Sequence, residues 1–593
     1  MKLKHTLIIL FPTFLFSQNF PYQRQWGTYL GGANTRISQV HEDPQTQSVS
    51  VYGYTEYPII TTAPPLDYYN QFVSPGGHPF TYSTENNFSN MFSGKLSSTG
   101  NMLLSEYPFS GKKIYFKDEP ENVYIISENI STSPLPSGVW LSNPVTDKDG
   151  ILSKYDVNNN LLWRTYIPGK VSSTIATDSE GNIYITGTTS WQNLGDPETF
   201  QPDFTVVPDF FGSPLPNSYI VKLNPQGQKI WATYTPSKEI LNIHAYQDNI
   251  YISGYNDLDQ TNSALATPGA FQIEKSGQFL SKINGNTGKR IWGTYYGIPH
   301  TDSGSITGIK TTSSGIYLSG TTIIPSTYYA TSGAYKQEAT DPFDLFLVKF
   351  NDNGQQEWGT YLGSNGYDFA NSYGSIDVKN DRILISGATF GASNNIASAG
   401  AFVSTRPNPT RRDIFFSMFG TSGSHIFTSY YGGPNNNLGD NIVNDSEIAC
   451  KFSENSDSFY LFGTTENTSG FTTPNAPLQD IIYPPNSLGR AGFLIKFSSR
   501  VLSTSETGTS TDLVLYNNPN NGNFSLKGGI LEKESYLITI TDMPGRLVYS
   551  APTSKKAEEH FNLAGRLETG TYLLTVSKPD KTPVKTFKLI IKK

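Results

Sequence analysis

The chain has 593 residues, 16% of them charged and 13% aromatic, with a formal net charge of −7 and one cysteine. This balance argues against nucleic acid as a partner, and no basic run interrupts the first five hundred residues; a lone thiol can form neither an internal disulfide nor a cysteine zinc site. Low charge with abundant Gly, Asn, Ser, Thr and Tyr is the palette of strands and turns.

Met1-Lys2-Leu3-Lys4-His5 followed by an apolar run from Thr6 to Phe16 predicts a secretory signal over 1–17, with cleavage after Ser17. It is too short to span a membrane, and nothing after it approaches the roughly eighteen apolar residues that a span requires.

Self-similarity dominates the next part of the chain. Trp26-Gly-Thr-Tyr, Trp163-Arg-Thr-Tyr, Trp231-Ala-Thr-Tyr, Trp292-Gly-Thr-Tyr and Trp358-Gly-Thr-Tyr are joined by two weaker copies, Leu104-Ser-Glu-Tyr and Phe427-Thr-Ser-Tyr. The seven starts are spaced by about 67 residues. Each copy carries a second strand of the type Ile183-Tyr-Ile-Thr-Gly and a third of the type Ile220-Val-Lys-Leu, and tight turns such as Asn224-Pro-Gln-Gly lead into the next Trp strand. A fourth, weaker strand fits before the second, for example Val171 to Asp178 and Ser305 to Thr311.

Four antiparallel strands per period predict one propeller blade, which buries its two faces only against neighbours. We label these strands A (weak), B (Ile-Tyr-Ile), C (Val-Lys-Leu) and D (Trp-x-Thr-Tyr). The order leaves Trp26-Gly-Thr-Tyr without partners at the start and Leu494-Ile-Lys-Phe without a D strand at the end, so the two are expected to pair and close the ring. Cys450, in Glu447-Ile-Ala-Cys-Lys451, suits a buried strand.

These units resemble the SBBP-type β-propeller repeat, whose Trp-x-Thr-Tyr-x-Gly-Gly and Gly-Asn-x-Tyr-x-x-Gly patterns are carried by Trp26–Gly32 and Gly181–Gly187. The resemblance covers residues 24 to 498 and speaks to fold, not function. Asn284-Gly-Asn-Thr-Gly-Lys-Arg-Ile-Trp292 also looks like the tryptophan-docking motif of quinoprotein propellers, which implies blade packing and not a quinone; no cofactor is expected.

A Ser/Thr-rich linker over 499–510 precedes a tail, 511–593, with twelve Lys and Arg against eight Asp and Glu. Its alternating strands separated by Gly and Asn turns predict a small β-sandwich. Asn518-Pro519-x-x-Gly522-x-Phe524, Asp542-x-x-Gly545-Arg-x-Val548, Gly570-x-Tyr572 and a basic end containing Lys588 resemble the type A C-terminal sorting domain of type IX secretion substrates. That resemblance implies export through the periplasm and outer membrane, recognition by the translocon, and removal by a sortase-like peptidase.

Seven histidines make no His-x-x-x-His pair, and neither a Gly-x-Ser-x-Gly elbow nor an Asp-box is present. Asp302, Asp368 and Asp440 recur after the Trp strand and read best as turn caps, as do the partial calcium-loop mimics at Asp156 and Asp178. The expected fold is all-β: a seven-bladed β-propeller over 18–498 followed by the sandwich. The expected role is an exported binding or scaffold protein at the cell surface or secreted, with a glycan, matrix polymer or protein ligand. The alternative is a secreted polysaccharide hydrolase or lyase with paired carboxylates in the central depression. The B–C loops of the first three repeats are long and aromatic, so Tyr68, Tyr69, Trp140 and Trp191 are the candidate binding residues, expected to be partly exposed.

Overall fold

The computed structural model describes residues 20–56, 66–80, 89–108, 113–116, 122–128, 135, 137–146, 148–156, 160–207, 214–256, 258, 265–302, 304–370, 375–390, 396–407, 412–432, 448–467, 470–480, 490–500, 513–542, 546–579 and 583–592. The signal expected over 1–17 and the linker residues 501–510 lie outside these. The chain divides into two compact units, Met1–Ser499 and Arg500–Lys593.

Among the described residues the first unit contains seven antiparallel sheets. In the third, strands Lys170–Thr177, Ile183–Thr189, Asn217–Leu223 and Lys229–Thr235 follow in sheet order. The B strand Ile183–Thr189 is buried almost throughout, as a strand covered on both faces must be. Its C–D hairpin turns at Asn224, whose side-chain oxygen accepts the amides of Gln226 and Gln228. The weak A strands expected at Val171–Asp178 and Ser305–Thr311 are present as Lys170–Thr177 and Gly304–Thr312. In the sixth sheet the A position is filled by two pieces, Tyr367–Phe369 and Ile376–Lys379, both paired with Arg382–Phe390.

The A strands make the ring. Lys113–Phe116 touches Lys170–Thr177, which touches Glu239–Tyr246, then Gly304–Thr312, Ile376–Lys379 and Ile448–Phe452. Thr35–Glu42 lies against Ser458–Thr465 of the seventh sheet, and Val49–Glu56 against Lys113–Phe116, so the cycle closes as a β-propeller. The closing sheet has D strand Tyr22–Leu30 paired with Ala491–Ser499, with Trp26 opposite Lys496 and Tyr29 opposite Phe493. The pairing required by the strand count is therefore present.

Repeat residues lock five of the seven sheets to the next. The indole Nε1–H of Trp26, Trp163, Trp231, Trp292 and Trp358 donates to the carbonyl of Ser98, Pro225, Gly285, Asp352 and Thr421 respectively, each in the following sheet's C–D turn, over 2.9–3.0 Å. Under the Trp231 ring lies Gly288, at φ +69, where a Cβ would stand 2.9 Å from the indole. The C-strand lysine reinforces the contact: Lys222 Nζ lies over the Tyr184 ring, donates to Gly285 and pairs with Asp178 at 3.2 Å.

The position of Phe427 explains its departure from the Trp pattern. Its sheet faces the closing sheet, whose C and D strands come from opposite ends of the propeller chain and have no connecting turn. An indole N–H would have no turn carbonyl there. Phe427 instead packs edge-on against Phe20 at 4.7 Å and tilted against Tyr22 at 5.8 Å, aromatic contacts that need no acceptor.

The second unit has two sheets. One contains Val514–Tyr516, Asn523–Lys527 and Glu558–Asn562; the other has Leu547–Pro552, Leu537–Asp542, Gly570–Ser577 and Pro583–Ile591 in sheet order. Phe524, Leu526, Ile538, Ile540, Leu574 and Leu589 belong to their shared core, which makes a β-sandwich.

Candidate functional site

Antiparallel order places the B–C and D–A connections on one face of the propeller, and the tyrosine of the Trp-x-Thr-Tyr strand fixes the B–C loops there. Tyr234 Oη accepts the Leu194 amide and donates to Trp191 O, Tyr361 Oη accepts the Tyr329 amide, and Tyr430 Oη accepts that of Ile396. Burial pushes all three phenols up, so they are neutral donors and acceptors.

Tyr68 and Tyr69 correct the expectation of partial exposure. Both lie on the one-turn helix Leu66–Asn70 and are buried, at 9% and 0% relative exposure. Tyr68 Oη accepts the Ala33 amide at 2.8 Å, and Tyr69 stacks on Phe80 at 4.2 Å. The described part of this loop, 66–80, packs onto its own sheet and uses these rings as core. Trp140 and Trp191 are half-buried, both against the cluster containing Leu194, Tyr219 and Tyr234. The four thus fall into two groups, two in the core of the first loop and two at the edge of the third sheet's core.

A signal that sequence reasoning passed over lies in the same loops. Ala270-Phe271, Ala334-Tyr335 and Ala401-Phe402 recur in three successive repeats. Each aromatic packs on the following sheet: Phe271 on Phe350 at 5.6 Å, Tyr335 on Phe419 at 5.9 Å and Phe402 on Phe497 at 5.1 Å. Tyr335, half exposed, also stacks on His425 at 4.0 Å.

The three recurring aspartates differ. Asp302 is exposed, Asp440 lies outside the described residues, and Asp368 is fully buried. Asp368 Oδ2 accepts the amide and hydroxyl of Ser364. Its neighbour across Gly363 is Asp344, also fully buried: a Cβ on Gly363 would lie 2.2 Å from Asp344 Oδ1 and 3.1 Å from Asp368 Oδ2. Lys336 Nζ pairs with Asp344 Oδ2 at 2.8 Å, and the Thr340 amide donates to the same oxygen. Burial pushes Asp344 up to about 7 against the pull of Lys336, and raises Asp368 as well. Two carboxyl groups with raised pKa suit acid–base chemistry, but both are sealed from solvent in this structure.

Asp178 acts as a turn cap: its Oδ1 accepts the amides of Glu180 and Asn182. Among the described residues no group of three or more His, Cys, Asp or Glu could hold a metal ion. Cys450 is buried, and desolvation raises its thiol pKa well above the usual range, the reverse of an activated nucleophile.

In the second unit the motif residues build the sandwich. Asn518 donates to Lys588 O and accepts the Ile590 amide, tying the start of the unit to its last strand, and Pro519 follows across a cis bond. Gly522, at φ +105, lies where a Cβ would meet Ala564 backbone at 2.7 Å. Phe524 stacks on Phe561, and Tyr572 Oη donates to Glu568 O. Asp542 closes its turn by accepting both the amide and the Nε–H of Arg546 at 2.7 Å. Gly570 opens the strand that carries Tyr572, Lys588 is exposed on the last strand, and Gly545 lies outside the described residues.

These features define an exported β-propeller protein with a C-terminal sorting module. Residues 514–592 match the family model of the secretion system C-terminal sorting domain, and residues 163–195 match that of the beta-propeller repeat. The module assigns the chain to type IX secretion, with export to the cell surface or medium and contact with the secretion machinery. No helix among the described residues is long and apolar enough to cross a membrane. No match was found among curated proteins. Among solved structures, the chain is similar to the Dos1 propeller (8% identity, TM-score 0.34, covering 81% of this chain and 95% of that one). It is also similar to a europium-containing methanol dehydrogenase (10%, 0.32, 80% and 92%) and to an ACO/RPE65 chimera (9%, 0.28, 55% and 62%).

Proposed function

We propose that the propeller is the working cargo of this export route, a non-enzymatic binding or scaffold module that presents its B–C loops to a glycan, matrix polymer or protein. In this reading residues 1–17 are a signal that is removed, 18–498 form the propeller, and 499–510 link it to a sorting domain at 511–593 that a sortase-like peptidase cuts away. The observation that carries the reading is the fixing of dissimilar loops by buried tyrosine hydroxyls, as at Tyr234 and Tyr361, which gives variable surfaces a rigid base. Trp140 and Trp191 remain candidate contact residues at the edge of that base, while Tyr68 and Tyr69 support it from inside.

The rival reading, a polysaccharide hydrolase or lyase, draws on the Asp344–Asp368 pair. Against it stands the burial of both side chains, since a general acid must come within hydrogen-bond reach of the glycosidic oxygen. The test is a glycan and matrix-protein array probed with the full chain, beside a reducing-sugar release assay on the same glycans. Retention without sugar release supports the binding module, and release abolished by Asp368→Asn would reverse the assignment.

A further inference from the structure

Phe343 and Tyr367 stand on the same face as the B–C loops, 40% and 45% exposed. Their rings meet edge to face at 5.2 Å, and Tyr367 lies parallel to Phe390 with centroids 6.3 Å apart. Phe343 has φ +70, in the left-handed region that bulky side chains avoid. Strained backbone and a phenyl ring left in water both oppose stability, so neither is explained by folding. We propose that Phe343, Tyr367 and Phe390 form a binding site for a neutral glycan; the proposal rests on the reading of the propeller as a binding module and gives that module its ligand class.

The base of the site is rigid. The Asp368 amide donates to Phe343 O at 2.8 Å, joining the B–C and D–A connections so that the two rings stand together. The residues that follow each ring, Asp344 and Asp368, are buried and anchored by Lys336, Thr340 and Ser364, with Gly363 leaving them room. Rings fixed in this way lose little freedom when a ligand arrives.

The surroundings select the ligand. Lys336 is committed to Asp344, and Arg412 lies over the Phe369 ring at 4.5 Å, so both of these cations are engaged within the protein. Asn365, two residues before Tyr367, and Thr340, three before Phe343, are exposed and offer uncharged hydrogen-bonding groups. A sugar presents an apolar C–H face to a ring and hydroxyls to amides and alcohols. Three rings cover far less than the roughly 800 Å² per partner of a stable protein interface, whereas they match a few sugar units.

The experiment measures binding of the full chain to immobilised cello-, xylo-, laminari- and chito-oligosaccharides, with polygalacturonate and a proline-rich peptide as the competing classes. Wild type is expected to be retained on at least one neutral oligosaccharide. Phe343→Gly and Tyr367→Ala should each weaken retention by about tenfold or more, and Tyr367→Trp should restore it. Because glycine is at ease at positive φ, Phe343→Gly should melt no lower than wild type, which separates loss of a ligand contact from loss of structure. Glycan retention unchanged in both variants would remove this site while leaving the binding module standing. Preference for polygalacturonate or the peptide would overturn the ligand class, and retention on no neutral oligosaccharide would overturn the site, while the binding module is judged separately on the glycan and matrix-protein array.

Discussion

The indole of Trp231 donates to the carbonyl of Gly285, at 2.9 Å, across the gap between two successive sheets. The same oxygen accepts Lys222 Nζ and Tyr184 Oη, so a single turn of one sheet holds three side chains of the preceding one. Trp231→Phe keeps most of the packing and removes one hydrogen bond, and should cost about 1 kcal/mol. Trp231→Ala also removes the ring and should cost about 3–5 kcal/mol. Gly288→Ala, which forces a methyl group against the indole at positive φ, should destabilise more than Trp231→Phe. Denaturant unfolding of the full chain gives all three values, and an unaltered midpoint for Trp231→Ala would mean that the lock is idle.

Phe427→Trp should bring no gain, although it restores the repeat consensus. With no turn carbonyl facing it and with Phe20 and Tyr22 already in contact, the larger indole is expected to lower the melting temperature. A rise would show that the closing sheet accommodates a donor after all.

Deleting Tyr22–Leu30 removes the D strand of the closing sheet and exposes the edge of Ala491–Ser499. Calorimetry should show the propeller transition lost or shifted down by far more than the sandwich transition. A propeller transition at the wild-type temperature would refute ring closure as a source of stability.

Removal of Arg500–Lys593 should leave the protein folded in the periplasm, because the two units have separate cores. Gly522→Val, which drives a side chain into Ala564 backbone, should give the same outcome from one substitution. Fractionation followed by limited proteolysis of the propeller reads both, and normal yield at the surface or in the medium would contradict the sorting role.

The Asp344 carboxyl, at about 7 when folded against an ordinary value of 3.8, binds its proton more tightly in the native state. Its contribution therefore favours folding below pH 4 and is lost as pH rises from about 4 through 7. His425, lowered to about 4 by burial, acts in the opposite sense across part of that window, stabilising as pH rises from 4 toward 6.5. The two are separated by comparing wild type with Asp344→Asn: the difference in melting temperature should vary between pH 4 and 7 and level off above it. A difference constant across that range would mean that Asp344 titrates normally.

The B, C and D strands could be read because each repeats the same side chains for the same purpose, as the shared geometry of Trp163, Trp231 and Trp292 shows. Ring closure followed from counting strands. The A strands are weak in sequence because they share no motif: Lys170–Thr177 is rich in Ser and Thr, whereas Glu239–Tyr246 carries Ile240, Leu241 and Ile243. Whether a loop aromatic faces in or out has no such periodic mark. Tyr69 and Tyr335 both lie in B–C loops, yet one is core and the other half exposed. The Asp344–Asp368 contact joins two connections across a C–D hairpin, and the left-handed backbone of Phe343 has no residue signature, so neither was legible before the fold was known.

The pairing of Tyr22–Leu30 with Ala491–Ser499 also sets a timetable. The first strand of the propeller to be synthesised is the last whose partner exists, and it must wait while more than four hundred residues are made and moved across the inner membrane. Six sheets can assemble from neighbouring segments as they emerge; the seventh is a long-range event with a slow loop closure. Because the sorting sandwich follows Ser499 in chain order, the signal for departure reaches the periplasm only after the strand that completes the cargo. Chain order alone thus favours delivery of closed propellers over open ones.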